Sequence, residues 1–472
     1  MTHPPDQPSL RRVLRVKDLV FFYVTAVLGM RWVATAASSG PSALLIWVFA
    51  ALSLFVPLAF TVIELSSRYP DEGGIYVWTK HAFGDFGGFM TGWTYWGANL
   101  TYLPGLLYFT ASTALYMFGT RYTHLQDSPT YFITVAMIGL VIAATMNIVG
   151  LEVGKWLSAA GAIGAWIPML LLIGMGLVAW ARFGSATPIT AHSLLPTTGL
   201  RDMVFWSTIA FAFTGLEAGS FMGEEIVEPR RTISRAVLIA GVSIAAIYIL
   251  GTLAILLALP QAEITGLGGI MDAITATGAR IGVTGVAPIA AILIVLSTLG
   301  GVGVWLAAPA RLPFVAGIDR YLPAAFGRLH PKYGTPHIAL LMQAGVAAVC
   351  AILGQAGETP KQAYEILVSL GVVAFFIPYI AMFAAMIRLQ REPAGPEVVR
   401  PPGGRPVAIL LGWTGLATSI AAVLLACVPP PGEEDGRRYV IKVVGLSALL
   451  VASGAVAWAI GNARRRGAKA TG

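Results

Sequence analysis

Two ionisable side chains lie inside runs that are otherwise apolar. Glu217 follows Thr214 and Gly215 in FWSTIAFAFTGLEAGSFMGEEIVEPRRTISRA, which runs from Phe205 to Ala236, and Arg31 follows Gly29 and Met30 in LVFFYVTAVLGMRWVATAASSGPSALLIW. Hydrocarbon tolerates neither a bare carboxylate nor a glycine-weakened backbone ladder, so such a site must face protein or water. A break in a membrane helix frees backbone N–H groups, which suit a carboxylate, and C=O groups, which suit an ammonium. Two such breaks can hold both ends of an amino acid. The residues this chemistry would use are Gly29, Met30 and Arg31 at the first break and Thr214, Gly215 and Glu217 at the second.

A cation near the bilayer centre costs at least about 2.5 to 3.5 kcal/mol unless it is paired or hydrated. Arg31 therefore needs a partner, and three readings stand open: a fixed ion pair with Glu217, a two-pronged hold on a substrate carboxylate, or snorkelling to an interface. The pair is favoured at rest, with substrate competing for Arg31 during transport. Gly29 reads equally as a site of close helix packing. Tyr95, Asn99 and Tyr102 are spaced by four and three, so they share one helical face that can line a pathway, whereas Trp93 reads as well as a membrane-interface anchor. Ser297, Thr298, Trp305, Phe375, Phe376 and Tyr379 are further candidates or simply packing. Glu224 and Glu225 read as solvated charges at a helix end.

The elements that must position these residues are membrane helices. The 472-residue chain is 56% hydrophobic and 11% charged, where soluble domains carry roughly 25% charged residues. A window of about 20 apolar residues finds twelve spans, near 18–37, 43–66, 87–118, 130–149, 157–181, 203–222, 235–259, 284–310, 337–355, 366–389, 406–428 and 440–461. About 22 of the 31 Lys and Arg fall on the side of the termini, about 8 on the other, and Arg31 lies within a span. Both termini are thus expected in the cytoplasm, with the lipid bilayer as partner. A net charge of +8, spread through short loops, calls for no nucleic acid. The Pro- and Gly-rich segment 390–405 reads as a cytoplasmic linker between a ten-helix core and helices eleven and twelve. Residues 1–17 and 462–472 read as cytoplasmic tails, and no cleavable signal peptide is seen.

The pattern Phe-Ala-Phe-x-Gly-x-Glu, six residues, then Glu-Glu-x-x-x-Pro-x-Arg resembles the sixth-helix signature of amino-acid permeases of the amino acid, polyamine and organocation (APC) superfamily. Glu64 to Trp96 resembles the family's join between helices two and three, and Arg311 to Pro336 its loop between eight and nine. The bulky, polar first break, with Gly29 alone where relatives carry paired glycines, leans toward the glutamate and gamma-aminobutyrate antiporter branch. The resemblance implies an all-α integral membrane protein with a LeuT-like inverted five-plus-five repeat, helices one to five (18–182) and six to ten (203–389), with helices one and six broken. Breaks five spans apart agree with such a repeat. It also implies transport of an amino acid by alternating access at the plasma membrane, with a coupling proton or an exchanged amino acid as second partner. Glu217, Phe211 and Trp305 would be gating residues. Proton-coupled relatives can carry a lysine mid-way along helix five, but here Lys155 stands only at that span's entrance.

Other classes fare worse. The six His show no HExxH and no Cys/His cluster, so neither a metal site, a cofactor nor enzyme chemistry is expected. Cys350 and Cys427 lie in apolar runs and read as packing residues. A non-transporting sensor lacks a soluble domain to read out its ligand. A transporter of polyamines or organic cations keeps the fold, but Arg31 opposes a cationic substrate.

Overall fold

The computed structural model describes residues 10–196, 199–264, 269–355, 360–428 and 436–470. The first apolar run forms α1 (Val16–Val27) and α2 (Met30–Ser38), bent by 40° about Leu28 and Gly29. α3 (Ser42–Ala50) passes through a π-helical turn (Ala51–Phe55) into α4 (Val56–Arg68), making one rod of 27 residues. Pro57, which brings no N–H to the ladder, sits just past that widened turn. α5 (Ile75–Ala114) is kinked at Gly84, where φ is 80°, and ends in a 3-10 segment, Leu115–Leu125. α6 (Pro129–Val149) and α7 (Leu151–Phe183) follow, then a single turn, α8 (Ala191–Leu194).

The second half begins with α9 (Leu200–Ala212), which stops short and resumes as a 3-10 segment, Ala218–Glu225. α10 (Pro229–Ala258), α11 (Gly269–Ile281), α12 (Val286–Ala307) and α13 (Arg311–Ile318) follow. α14 (His337–Gly354), α15 (Pro360–Leu389), α16 (Gly404–Ala426) and α17 (Gly436–Ala470) complete the chain. Among the described residues the only β pairing is an isolated bridge between Leu14 and Ile226, so the protein is all-helical.

Nine of the described helices are long and apolar enough to cross a membrane, or ten if α1 and α2 make one span. The two expected spans outside that set are the ones richest in candidate site residues: α9 has only 13 residues, and the middle of α5 carries Thr91, Thr94, Asn99 and Thr101. Outer faces are apolar and exposed, as with Ile163, Ile167 and Leu170 on α7 or Val242 on α10. That pattern suits lipid as solvent, and the protein is a multi-pass membrane protein. In the interior α5 packs against α15, α12 against α7, and α10 against α1 and α7. Small residues let α7 and α12 meet backbone to backbone: a Cβ added to Gly300 would lie 2.7 Å from the Cα of Gly161.

The structure adds detail in three places. Segment 390–405, expected as a linker, is docked on the end of α4: Gln390 is buried and donates to Glu64 at 2.6 Å, Val399 N donates to Ser67 Oγ at 2.9 Å, and Tyr69 Oη donates to Glu392 at 2.5 Å. Polar partners at the end of α4 hold a segment whose Pro- and Gly-rich composition marks a linker. Trp93 donates to Ser453 Oγ of α17 at 3.1 Å, which makes it a contact between helices. α11 lies between two expected spans; the helix is amphipathic, with Asp272 and Arg280 near its ends, so a search for continuous apolar windows passes over it.

Candidate substrate site at two helix breaks

Where α1 stops, Val27 loses the N–H that residue 31 would have supplied, and Gly29, extended at φ −88° and ψ 103°, turns its own N–H back to the Val27 carbonyl at 2.8 Å. Where α9 stops, the carbonyl of Ala212 is freed in the same way. One phenol on α10 reaches all three groups. Tyr248 Oη lies 2.5 Å from the carbonyl oxygen of Val27 and 3.1 Å from that of Ala212, and accepts from Gly29 N at 2.9 Å. A buried hydroxyl thus ties the two breaks together. Trp47 stacks on the Tyr248 ring at 4.4 Å and fixes it there.

Gly215 adopts φ +119°, which only glycine takes without strain, and a Cβ there would lie 3.1 Å from both Trp305 and Val27. Its N–H is shared between Tyr379 Oη at 3.1 Å and Glu217 Oε2 at 3.2 Å, and Tyr95 Oη donates to Glu217 Oε1. Glu217 is fully buried. Among the described ion pairs none joins it to Arg31, so the resting pair expected from sequence is replaced by phenol and backbone donors, which satisfy a carboxylate without a second buried charge. Thr214 Oγ1 turns back to the carbonyl of Phe211 at 2.8 Å.

Arg31 is 4% exposed, so it does not snorkel; its guanidinium lies 4.5 Å over the Trp32 ring and 5.3 Å from the Tyr102 ring. Phe211, Tyr102, Trp305 and Phe375 form a mutual cluster beside it, with ring centroids 5.3 to 6.2 Å apart in the pairs Tyr102–Trp305, Tyr102–Phe375, Trp305–Phe375, Phe211–Phe375 and Tyr102–Phe211. Trp305 Nε1 donates to the freed carbonyl of Ala26 at 3.0 Å. Pro309, four residues on, has no N–H for Trp305's own carbonyl, which instead accepts from Asn99 Nδ2 at 2.6 Å and Gln343 Nε2 at 2.8 Å. The stripe Tyr95, Asn99, Tyr102 therefore does face the breaks, each residue on a different task.

A cavity of about 30 Å3 lies at the first break, lined by Gly29, Met30, Arg31, Tyr102, Thr298 and Trp305 among others. That is space for a water or two rather than for an amino acid, with Tyr102 and Trp305 of the aromatic cluster in its wall. Sequence reasoning missed Tyr248 and Gln343 as site residues; a tyrosine inside the apolar run 237–258 was the available signal.

A family model described as amino acid permease matches residues 14–449. The chain belongs to the amino acid permease family. An uncharacterized transporter of Legionella pneumophila is 32% identical, the alignment covering 89% of this chain and 90% of that one. A probable agmatine/putrescine antiporter of Lactococcus lactis is 26% identical over 82% of each chain, and a serine/threonine exchanger of Bacillus subtilis 25% identical over 80% and 84%. A crystal structure of MhsT in complex with L-phenylalanine matches with a TM-score of 0.58 at 13% identity, over 95% of this chain and 99% of that one, which places the fold. The permease is thus an APC-type transporter of amino acids or related solutes.

Below the second break the permease carries a buried charge cluster. Arg311 grips Glu225 with Nε at 3.1 Å from Oε2 and Nη2 at 3.0 Å from Oε1, and its Nη1 donates to the terminal carbonyl of α12, Ala307, at 2.5 Å. Glu72, from the loop between α4 and α5, lies 3.7 Å from Arg311 Nε and accepts from Glu224 N at 3.0 Å. Burial, and then the neighbouring Glu225, push the Glu72 carboxyl well above the ordinary 4.5. Glu225 is 2% exposed, which corrects its reading as a solvated helix-end charge; the bidentate arginine comes from 86 residues away and is invisible to local pattern. The strap 10–15 lies across this exit, with Val13 N and Leu14 N donating to the Glu225 carbonyl at 2.9 and 3.1 Å and Val227 N returning a bond to Leu14 O at 2.9 Å.

Proposed function

We propose that the permease is a secondary active transporter that moves amino acids by alternating access, with the substrate held between the breaks at Gly29–Arg31 and Thr214–Glu217. The observation that carries this is the Tyr248 bridge: backbone groups that leave the regular helix ladder at both breaks converge on one hydroxyl, and a substrate's ammonium and carboxylate can compete for such groups. Arg31 at the cavity wall favours a substrate that bears a carboxylate. Glu217, Phe211 and Trp305 act as gates, because the aromatic cluster occupies the space a substrate needs. We read the chain as twelve spans, adding α5 and the α9 region to the ten apolar ones, arranged as two inverted five-helix repeats with helices one and six broken. Both termini lie in the cytoplasm and the protein resides in the plasma membrane, a reading supported by the excess of Lys and Arg on the side of the termini.

The exchange activity in the names of two relatives favours an exchanged amino acid as the second partner over a coupling ion. A cationic substrate is the second reading, favoured by the agmatine/putrescine relative and opposed by Arg31. A counterflow panel in liposomes, covering glutamate, aspartate, gamma-aminobutyrate, neutral and basic amino acids and putrescine, separates them. Flux of a carboxylate-bearing substrate is expected. Absence of flux for every compound, with protein shown to be folded, overturns the proposal.

A further inference from the structure

Away from both breaks, a cavity of about 430 Å3 opens between the strap, the start of α1 and the start of α7. Arg12, Arg15, Lys17 and Lys155 line it, together with Phe21 and Trp156. Asp18 is the one carboxylate among the described lining residues, and it already accepts from Arg15 N at 2.9 Å as a helix cap. The cations therefore meet in a concave site with little internal compensation. A topology signal alone needs no cavity.

The apolar part of the site says what kind of anion fits. Trp156 is 71% exposed, the side chain of an interface anchor, and the same helix continues with Ile163, Ile167 and Leu170 at 45, 47 and 60% exposure. Phe21, which also lines the groove, packs edge-on against Trp166 of α7 at 5.8 Å, so the apolar lining continues onto that helix. A soluble phosphate would use the cations and leave that strip unused. We propose that this groove binds the headgroup of an anionic phospholipid, with its phosphate among Arg12, Arg15, Lys17 and Lys155 and its acyl chains along the exposed face of α7. The bound lipid also steadies the strap, whose backbone holds the Glu225 carbonyl.

The test uses the full-length protein. Native mass spectrometry counts lipid adducts with phosphatidylglycerol, with phosphatidylcholine, and with inorganic phosphate as competitor. The parent should retain phosphatidylglycerol at least about tenfold more tightly than phosphatidylcholine, and Arg12→Ala/Arg15→Ala/Lys155→Ala should lose that preference. A control of equal charge loss elsewhere, Arg391→Ala/Arg405→Ala/Arg466→Ala, should keep it, which also guards against a general effect of charge. Equal retention of the two lipids overturns the proposal, as does equal loss in both triple variants. Displacement of the lipid by millimolar inorganic phosphate overturns the assignment to a lipid.

Discussion

The helix breaks and the charged exit below them are both buried, yet they are held in opposite ways. At the breaks, three neutral phenols, Tyr248, Tyr379 and Tyr95, satisfy backbone groups and one carboxylate. At the exit, a guanidinium clamps a carboxylate in two-pronged contact while a second carboxylate waits within 3.7 Å. Such hydrogen bonds contribute about 0.5 to 1.5 kcal/mol each between neutral groups and about 1.5 to 3 kcal/mol to a charged one, and exchange for bonds to a ligand, whereas a buried charge left without its partner is costly to create. The breaks are thus held by bonds that a ligand's polar groups can replace, and the exit by a charged contact that is costly to part.

The largest effect should come from breaking the exit. Arg311→Ala leaves two buried carboxylates facing each other, and a loss of about 3 to 5 kcal/mol in unfolding stability is expected, read as a drop in Tm. Arg311→Met/Glu225→Gln should be markedly milder; equal losses would mean that the clamp is not the reason for the cost.

Next comes Tyr248→Phe, which keeps the ring on Trp47 and removes only the hydroxyl. Leaving the Ala212 carbonyl without it, and Gly29 N and Val27 O with only each other, should cost about 1 to 3 kcal/mol and reduce transport more than any neighbouring Tyr→Phe change. An unaltered melting curve and uptake would separate the two breaks from each other and weaken the comparison.

A smaller effect follows from Glu72. Because its carboxyl titrates above the ordinary 4.5, the folded protein holds a proton that the unfolded chain has lost, so stability falls as pH rises through that window and is regained below it. Glu72→Gln should flatten this part of the stability profile. An unchanged slope would assign it to another group.

The smallest effect is expected between Arg31 and Glu217. With Glu217 held by Tyr95 and the backbone, the stability cycle of Arg31→Ala, Glu217→Gln and the double variant should show coupling below about 0.5 kcal/mol. A coupling of several kcal/mol would restore the ion pair. Arg31→Ala should nevertheless weaken acidic substrates more than neutral ones in uptake.

The sequence makes the breaks legible because glycine, threonine and charge interrupt apolar runs, and it makes the Tyr95, Asn99, Tyr102 face legible because helical spacing is local. What it hides is pairing at long range. Tyr248 bonds residues 219 and 221 positions away, and nothing near it in the chain marks it out from a packing tyrosine. Asn99 and Gln343 serve the Trp305 carbonyl only because Pro309 abandons it, a consequence that needs the helices placed side by side. Glu225 looked solvated for the same reason, since its arginine lies on another element.

The most direct measurement is the accessibility of a single cysteine at Thr214, introduced with Cys350→Ser and Cys427→Ser, to a membrane-impermeant thiol reagent added from either side of proteoliposomes. Alternating access at the breaks predicts that labelling shifts from one side to the other when a transported amino acid is added. Identical labelling from both sides with and without substrate would contradict the account.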